Sequence, residues 1–129
     1  MAIRIVRLGT PRLPGEGTRI GTVRRPPRGV PKSEFASGNW YDVWYPNLAP
    51  SAPLVQAAQA AQTDAGWRAF MKAYRTEMAA PDASRTLDLL AALSHTADFS
   101  LGCYCADEAH CHRSLLRELL AARGAEIRP

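Results

Sequence analysis

Apolar positions change their period twice along the chain. Over Ala2–Leu8, Ile3 and Ile5 alternate with Arg4, and Val6 takes the opposite phase, a two-residue period that predicts a strand ending at Gly9. Thr18–Arg24 predicts a second short strand carrying Ile20 and Val23, after a turn-rich loop from Gly9 to Gly17. Pro26, Pro27 and Pro31 then break regular structure, and Trp40–Pro53 mixes aromatics with prolines as a folded loop.

Past Pro53 the period becomes helical. Leu54–Gln62 predicts a short helix. Trp67, Phe70, Met71, Tyr74 and Met78 then form one stripe, with Asp64 as the expected cap. Leu87, Leu90 and Leu93 predict a third helix capped by Asp82 or Ser84. Asp98–Tyr104 predicts a buried strand with Phe99 and Leu101. A last helix from about Cys111 to Arg123 carries Leu115, Leu116, Leu119 and Leu120 and stops at Gly124. Strands at both ends with helices between them predict a single α/β domain over residues 1–129, a mostly parallel sheet flanked by helices.

Composition changes this picture little. Apolar residues make up 47% of 129 residues, but 22 of them are alanine, so closely packed helices must supply the core with few heavy anchors. Neither an apolar run of membrane-crossing length nor a secretory signal is visible, so the expectation is a soluble, cytoplasmic protein without a membrane partner. Three cysteines, an odd number, point to reduced thiols rather than a disulfide framework.

Charge matters more by position. Residues 1–32 hold seven Arg and Lys32 against Glu16 alone, a balance of +7, while the remainder sums to −3. Such a basic end suits nucleic acid, phosphate groups or an acidic surface, so a nucleic-acid-binding module is one expectation.

The reactive residues concentrate in Cys103-Tyr-Cys-Ala-Asp-Glu-Ala-His-Cys-His-Arg-Ser114, which leaves a strand and enters a helix. Three chemistries fit it. Cys103, Cys105, Cys111 and His112 could ligate zinc in a metal-binding structural protein, although the C-x-C-x5-C-H spacing is not a usual zinc pattern. Cys111, at a helix start beside Arg113, has the surroundings of an activated thiolate, with His112 and Arg113 as catalytic partners. Arg113 and Ser114 at the helix start, with Arg24 and Arg28 from the proline loop, could bind a small phosphate-bearing ligand, a nucleotide among the candidates. This last reading asks least of the sequence and requires no cofactor. Tyr41, Asp42 and Tyr45 could line a cleft, and Asp107 and Glu108 could move protons, but as residues of these types they more often cover a core edge or face solvent.

The same segment resembles the carboxy-terminal motif of the domain-of-unknown-function 488 family, in which a Cys is followed eight residues later by Cys-His-Arg-Ser. Arg24-Arg-Pro-Pro-Arg-Gly-Val30 is similar to that family's basic loop, Leu48-Ala-Pro-Ser51 to another of its segments, and Trp67–Arg75 to its aromatic helix. Val23 and Pro26 depart from the acid and the Trp common in relatives. The resemblance implies an α/β fold. It carries over Arg24, Pro27, Arg28, Gly29, Arg75, Cys103, Cys111, His112, Arg113 and Ser114 as the family positions.

Overall fold

A computed structural model describes all of residues 1–129. Strands β1 (Ile3–Arg7), β2 (Thr18–Gly21), β3 (Val43–Trp44) and β4 (Phe99–Cys103) form one sheet in the order β1-β4-β2-β3. Every pair is parallel, so the α/β reading is borne out. Helices α1 (Ala52–Ala60), α2 (Asp64–Met78), α3 (Pro81–Leu93) and α4 (His112–Ala121) supply the rest. None of them is long and apolar enough to cross a membrane.

Register sorts the side chains to two faces. Ile5, Leu101 and Ile20 lie side by side in one row, and Ile3 faces Phe99 in the next. These residues join Tyr74, Met78, Leu87, Leu90, Leu115, Leu116 and Leu120 in the main core, so the four helices gather on that face. Each fully buried Leu of α4 contributes about 1.5–3 kcal/mol by leaving water. All five residues of β4 are buried, as an interior parallel strand requires.

The opposite face carries Arg4, Ser100 and Arg19 in one row. No helix covers it. The segment between β1 and β2 crosses it instead, and the segment is held by Glu16. The Glu16 carboxylate accepts from Arg19 Nε at 2.8 Å, Arg19 Nη2 at 3.0 Å, Ser100 Oγ at 2.7 Å and Leu13 N at 3.1 Å. Arg19 also donates to the carbonyls of Thr10 and Asn39. Both side chains are buried, at 0% and 2% exposure.

Local details correct several expectations. Thr63, not Asp64, caps α2, its Oγ1 accepting from Gly66 N at 3.0 Å; Asp64 is the first helical residue, where an acid faces the positive end of the helix. Neither Asp82 nor Ser84 caps α3. Pro81 opens that helix, because its fixed φ and missing N–H suit the first position, and Ala80 precedes it without a side-chain cap. The Trp40–Pro53 loop contains β3, a two-residue edge strand. Gly124, at φ +80°, ends α4 as expected.

Candidate functional site

The carboxyl ends of parallel strands are where α/β sheets place their sites. Here β4 ends on Cys103, the chain turns through residues 104–111, and α4 starts at His112 with Cys111 as its N-cap. A 3-10 turn at Glu108–His110 shapes that loop, with the Asp107 carboxylate accepting from Ala109 N at 3.0 Å and contacting His110 Nδ1 at 2.9 Å. Glu108 forms a two-pronged pair with Arg117. Both acids therefore serve the loop's own structure.

Cys111, His112 and Arg113 are 2%, 5% and 3% exposed, an unusual run of buried polar residues at a helix start. The His112 ring has a defined orientation. Its Nε2 lies 2.8 Å from the Thr22 carbonyl, which can only accept, so Nε2 carries the proton and Nδ1 is left facing Cys111 Sγ at 3.7 Å. Thr22 Oγ1, which donates to Gly102 O at 3.0 Å, sits 3.1 Å from the same Nε2. Tyr74 meets the ring edge-on at a centroid distance of 5.4 Å.

Arg113 donates from Nε to Cys111 Sγ at 3.4 Å and from Nη2 to Cys105 O at 2.6 Å. The backbone N–H groups of His112 and Arg113, at the first two helical positions, have no acceptor. Ser114 Oγ donates to Cys111 O at 2.9 Å.

Three sulfurs converge here. Cys103 Sγ donates to Cys105 Sγ at 3.8 Å, and Cys103 and Cys111 share one buried cluster with Leu8, Val23 and Tyr41. The Cys111 thiol is held below its ordinary range. The neighbouring Cys103 and Cys105 thiols favour its thiolate, and burial works against it. Cys103 is pushed up correspondingly, by its sulfur neighbours first and burial after them. The exposed thiol is Cys105, whereas Cys111 is enclosed. Cys103, Cys111 and His112 hold their ligand atoms within 4.8 Å of one another, a group that could hold a metal ion.

Other expected site residues are dispersed. Arg24 donates to the carbonyls of Pro50 at 3.0 Å and of Pro46 and Ala49 at 3.2 Å, which anchors the approach to α1 instead of aiming the guanidinium at α4. Arg28 is exposed and pairs with nothing, although the proline loop does rest on this end of the sheet, where Tyr104 OH donates to Arg25 O at 2.8 Å. Asp42 pairs with Arg12, and Tyr45 OH contacts Thr86 Oγ1. Arg4, Arg7, Arg12 and Arg19 all engage their own chain, so Arg25, Arg28 and Lys32 are the cations of the basic segment left without a partner.

One participant was not legible from spacing. Thr22 is remote in sequence from His112, and nothing in its neighbourhood marks it as the residue that orients the ring. Tyr41, at 2% exposure, has the molecule's one buried side-chain polar atom without a hydrogen bond. An unpaired buried hydroxyl costs about 1–3 kcal/mol. Tyr41→Phe is therefore expected to raise the thermal midpoint of the ligand-free protein by a few degrees in differential scanning calorimetry; a fall would mean that the hydroxyl has a partner in solution.

No curated protein and no solved structure matches the chain. A family model described as the active DUF488-N3 subclade matches residues 3–124, and the chain thus belongs to the DUF488-N3a family.

Proposed function

We propose that the end of the sheet at β4 and α4 binds and processes a small anionic ligand, a phosphate-bearing molecule such as a nucleotide, with Cys111, His112 and Arg113 as its reactive core. The observation that carries this reading is the buried Arg113 guanidinium at the start of α4, beside the unpaired N–H groups of His112 and Arg113. Fixed donors and a permanent charge at a helix start favour an oxyanion. Arg28, exposed on the loop that rests against Tyr104, supplies charge at the rim, and Tyr41 supplies an unpaired hydroxyl, while Ser114, whose hydroxyl donates to Cys111 O, holds the helix start in place. Arg24 acts indirectly, by holding the proline loop. The family's description as an active subclade supports a reaction rather than a purely structural role.

Nucleic acid is less well supported as the ligand, because most of the basic segment's arginines are bound within the chain. Three unpartnered cations are few for tracking a phosphate backbone.

A thermal-shift series tests the reading. Inorganic phosphate, sulfate and a nucleotide are each expected to stabilise the wild type, by about 2.7 kcal/mol at a hundredfold excess over Kd. Arg113→Lys retains the charge but lacks the planar fork, and is expected to lose most of that rise. Arg85→Ala, on the exposed side of α3, should retain it. No rise with any of these anions, or an equal rise in Arg113→Lys, would overturn the proposal.

A further inference from the structure

We propose that Cys103, Cys111 and His112 hold a zinc-type divalent cation, with Cys105 as its fourth and exchangeable ligand. The spacing alone argued against zinc, because two ligands on a strand and two adjacent ones at a helix start look awkward for one ion. The geometry removes that objection. Cys103 closes β4, Cys111 caps α4, and the intervening loop brings Cys105 back onto Cys103.

A tetrahedral zinc with Zn–S of about 2.3 Å and Zn–N of about 2.0–2.1 Å requires sulfurs about 3.8 Å apart and sulfur–nitrogen pairs about 3.6 Å apart. The observed separations are 3.8 Å for Cys103 Sγ to Cys105 Sγ and 3.7 Å for Cys111 Sγ to His112 Nδ1. The three buried ligand atoms lie within 4.8 Å of one another, so they can close on one ion with small movements.

The surroundings are also those of a metal centre. Metal-ligating imidazoles usually donate their second nitrogen to a carbonyl or carboxylate, which fixes the ring and its tautomer. Here Nε2 donates to Thr22 O at 2.8 Å, leaving the Nδ1 lone pair directed at the sulfurs. Three thiolates around a 2+ ion leave one negative charge, and Arg113 Nε, 3.4 Å from Cys111 Sγ, supplies the compensating positive charge.

The ligands differ in access. Cys103, Cys111 and His112 are buried, while Cys105 is exposed on the loop. Three enclosed ligands with one outward position are the arrangement in which zinc accepts an external donor. An anion entering at the start of α4 would take the place of Cys105. This exchange rests on the anion reading above; the metal itself does not.

The test uses the full-length protein under reducing conditions. Protein purified without added metal is analysed by elemental mass spectrometry, then stripped with a chelator and titrated with Co2+ alone. One metal per chain is expected, with the strong visible bands of tetrahedral cobalt and sulfur-to-cobalt charge transfer, all bleached by Zn2+. Cys105→Ser, a change at an exposed position, should still bind one Co2+ but with weaker charge transfer and lower affinity. Cys111→Ser should lose the bands. Absent bands in the wild type, or bands of unchanged intensity in Cys105→Ser, would overturn the proposal. No anion is present in these measurements, so a failed metal site and a failed anion site give different results. The exchange is read separately: phosphate should alter the wild-type cobalt spectrum if it displaces Cys105, and an unaltered spectrum with the anion-induced thermal shift intact would sink that step alone.

Discussion

Arg19→Met is expected to destabilise the protein by about 3–5 kcal/mol, because it leaves the Glu16 carboxylate buried without its counter-charge. The guanidinium has no accessible surface, and its N–H groups reach Glu16 and the carbonyls of Thr10, Pro11 and Asn39. Removing it therefore also strands acceptors on two loops. Denaturant unfolding gives the cost, and a loss below about 1 kcal/mol would show that water reaches the pair.

The same pair sets an acid limit. Burial pushes the Glu16 carboxyl up, but the bonds from Arg19, Ser100 and Leu13 outweigh burial and bring it from 4.5 to about 2. A carboxylate whose folded value is depressed adds stability above its unfolded value, and that stability is lost as pH falls through the folded one. For Glu16 the window runs from about pH 4.5 down to about 2, and the amount at neutral pH is about 3 kcal/mol. Unfolding free energy measured across this window should fall more steeply in the wild type than in Glu16→Gln. Parallel curves would assign the acid sensitivity to another carboxylate.

Gly17→Ala carries the second large effect. Gly17 has φ of +75°, and a Cβ there would overlap the carbonyl oxygen of Asp98, the residue before β4. The left-handed backbone alone costs an alanine about 1–2 kcal/mol. Relief of the clash would require β4 to shift within the sheet, so the total should reach about 3 kcal/mol or more. Gly15→Ala separates the two contributions, because Gly15 has φ of +72° but open space around it. Urea midpoints should fall much further for the first variant. Equal losses would leave backbone strain as the whole effect.

These two positions mark where sequence reasoning stops. Periodicity located β1, β4, the α2 stripe and α4 because each buries a repeating face, and burial leaves a period in the sequence. Glu16 and Arg19 leave none. In the sequence Arg19 is one more cation in a basic segment, and only the crossing loop turns it into the centre of the helix-free face. The cap of α2 was displaced for a similar reason: Thr63 and Asp64 are both good N-terminal residues, and propensity alone does not choose between neighbours. At the candidate site the reactive residues were legible as a dense motif. Their roles were not, because the ring orientation depends on Thr22 and the environment of the sulfurs depends on a loop whose path no period records.

The position of β4 between β1 and β2 also governs how the molecule is made. During synthesis β1 and β2 emerge first, yet neither pairs with the other; β1 has no partner strand and β2 only the two-residue β3 until residues 99–103 emerge, 96 positions after Ile3 and 81 after Thr18. At about 5–20 residues per second the nascent chain spends several seconds with β1 unpaired, β2 joined only to β3, and no central strand to receive the helices. Residues 126–128 then seal the outer edge, where Ile3 N donates to Glu126 O and Arg128 N donates to Ile3 O, both at 2.8 Å. The sheet therefore cannot be completed piece by piece as the chain grows: without residues 126–128 the first strand would have an open edge, and without residues 99–103 only the short β2–β3 pair would be left.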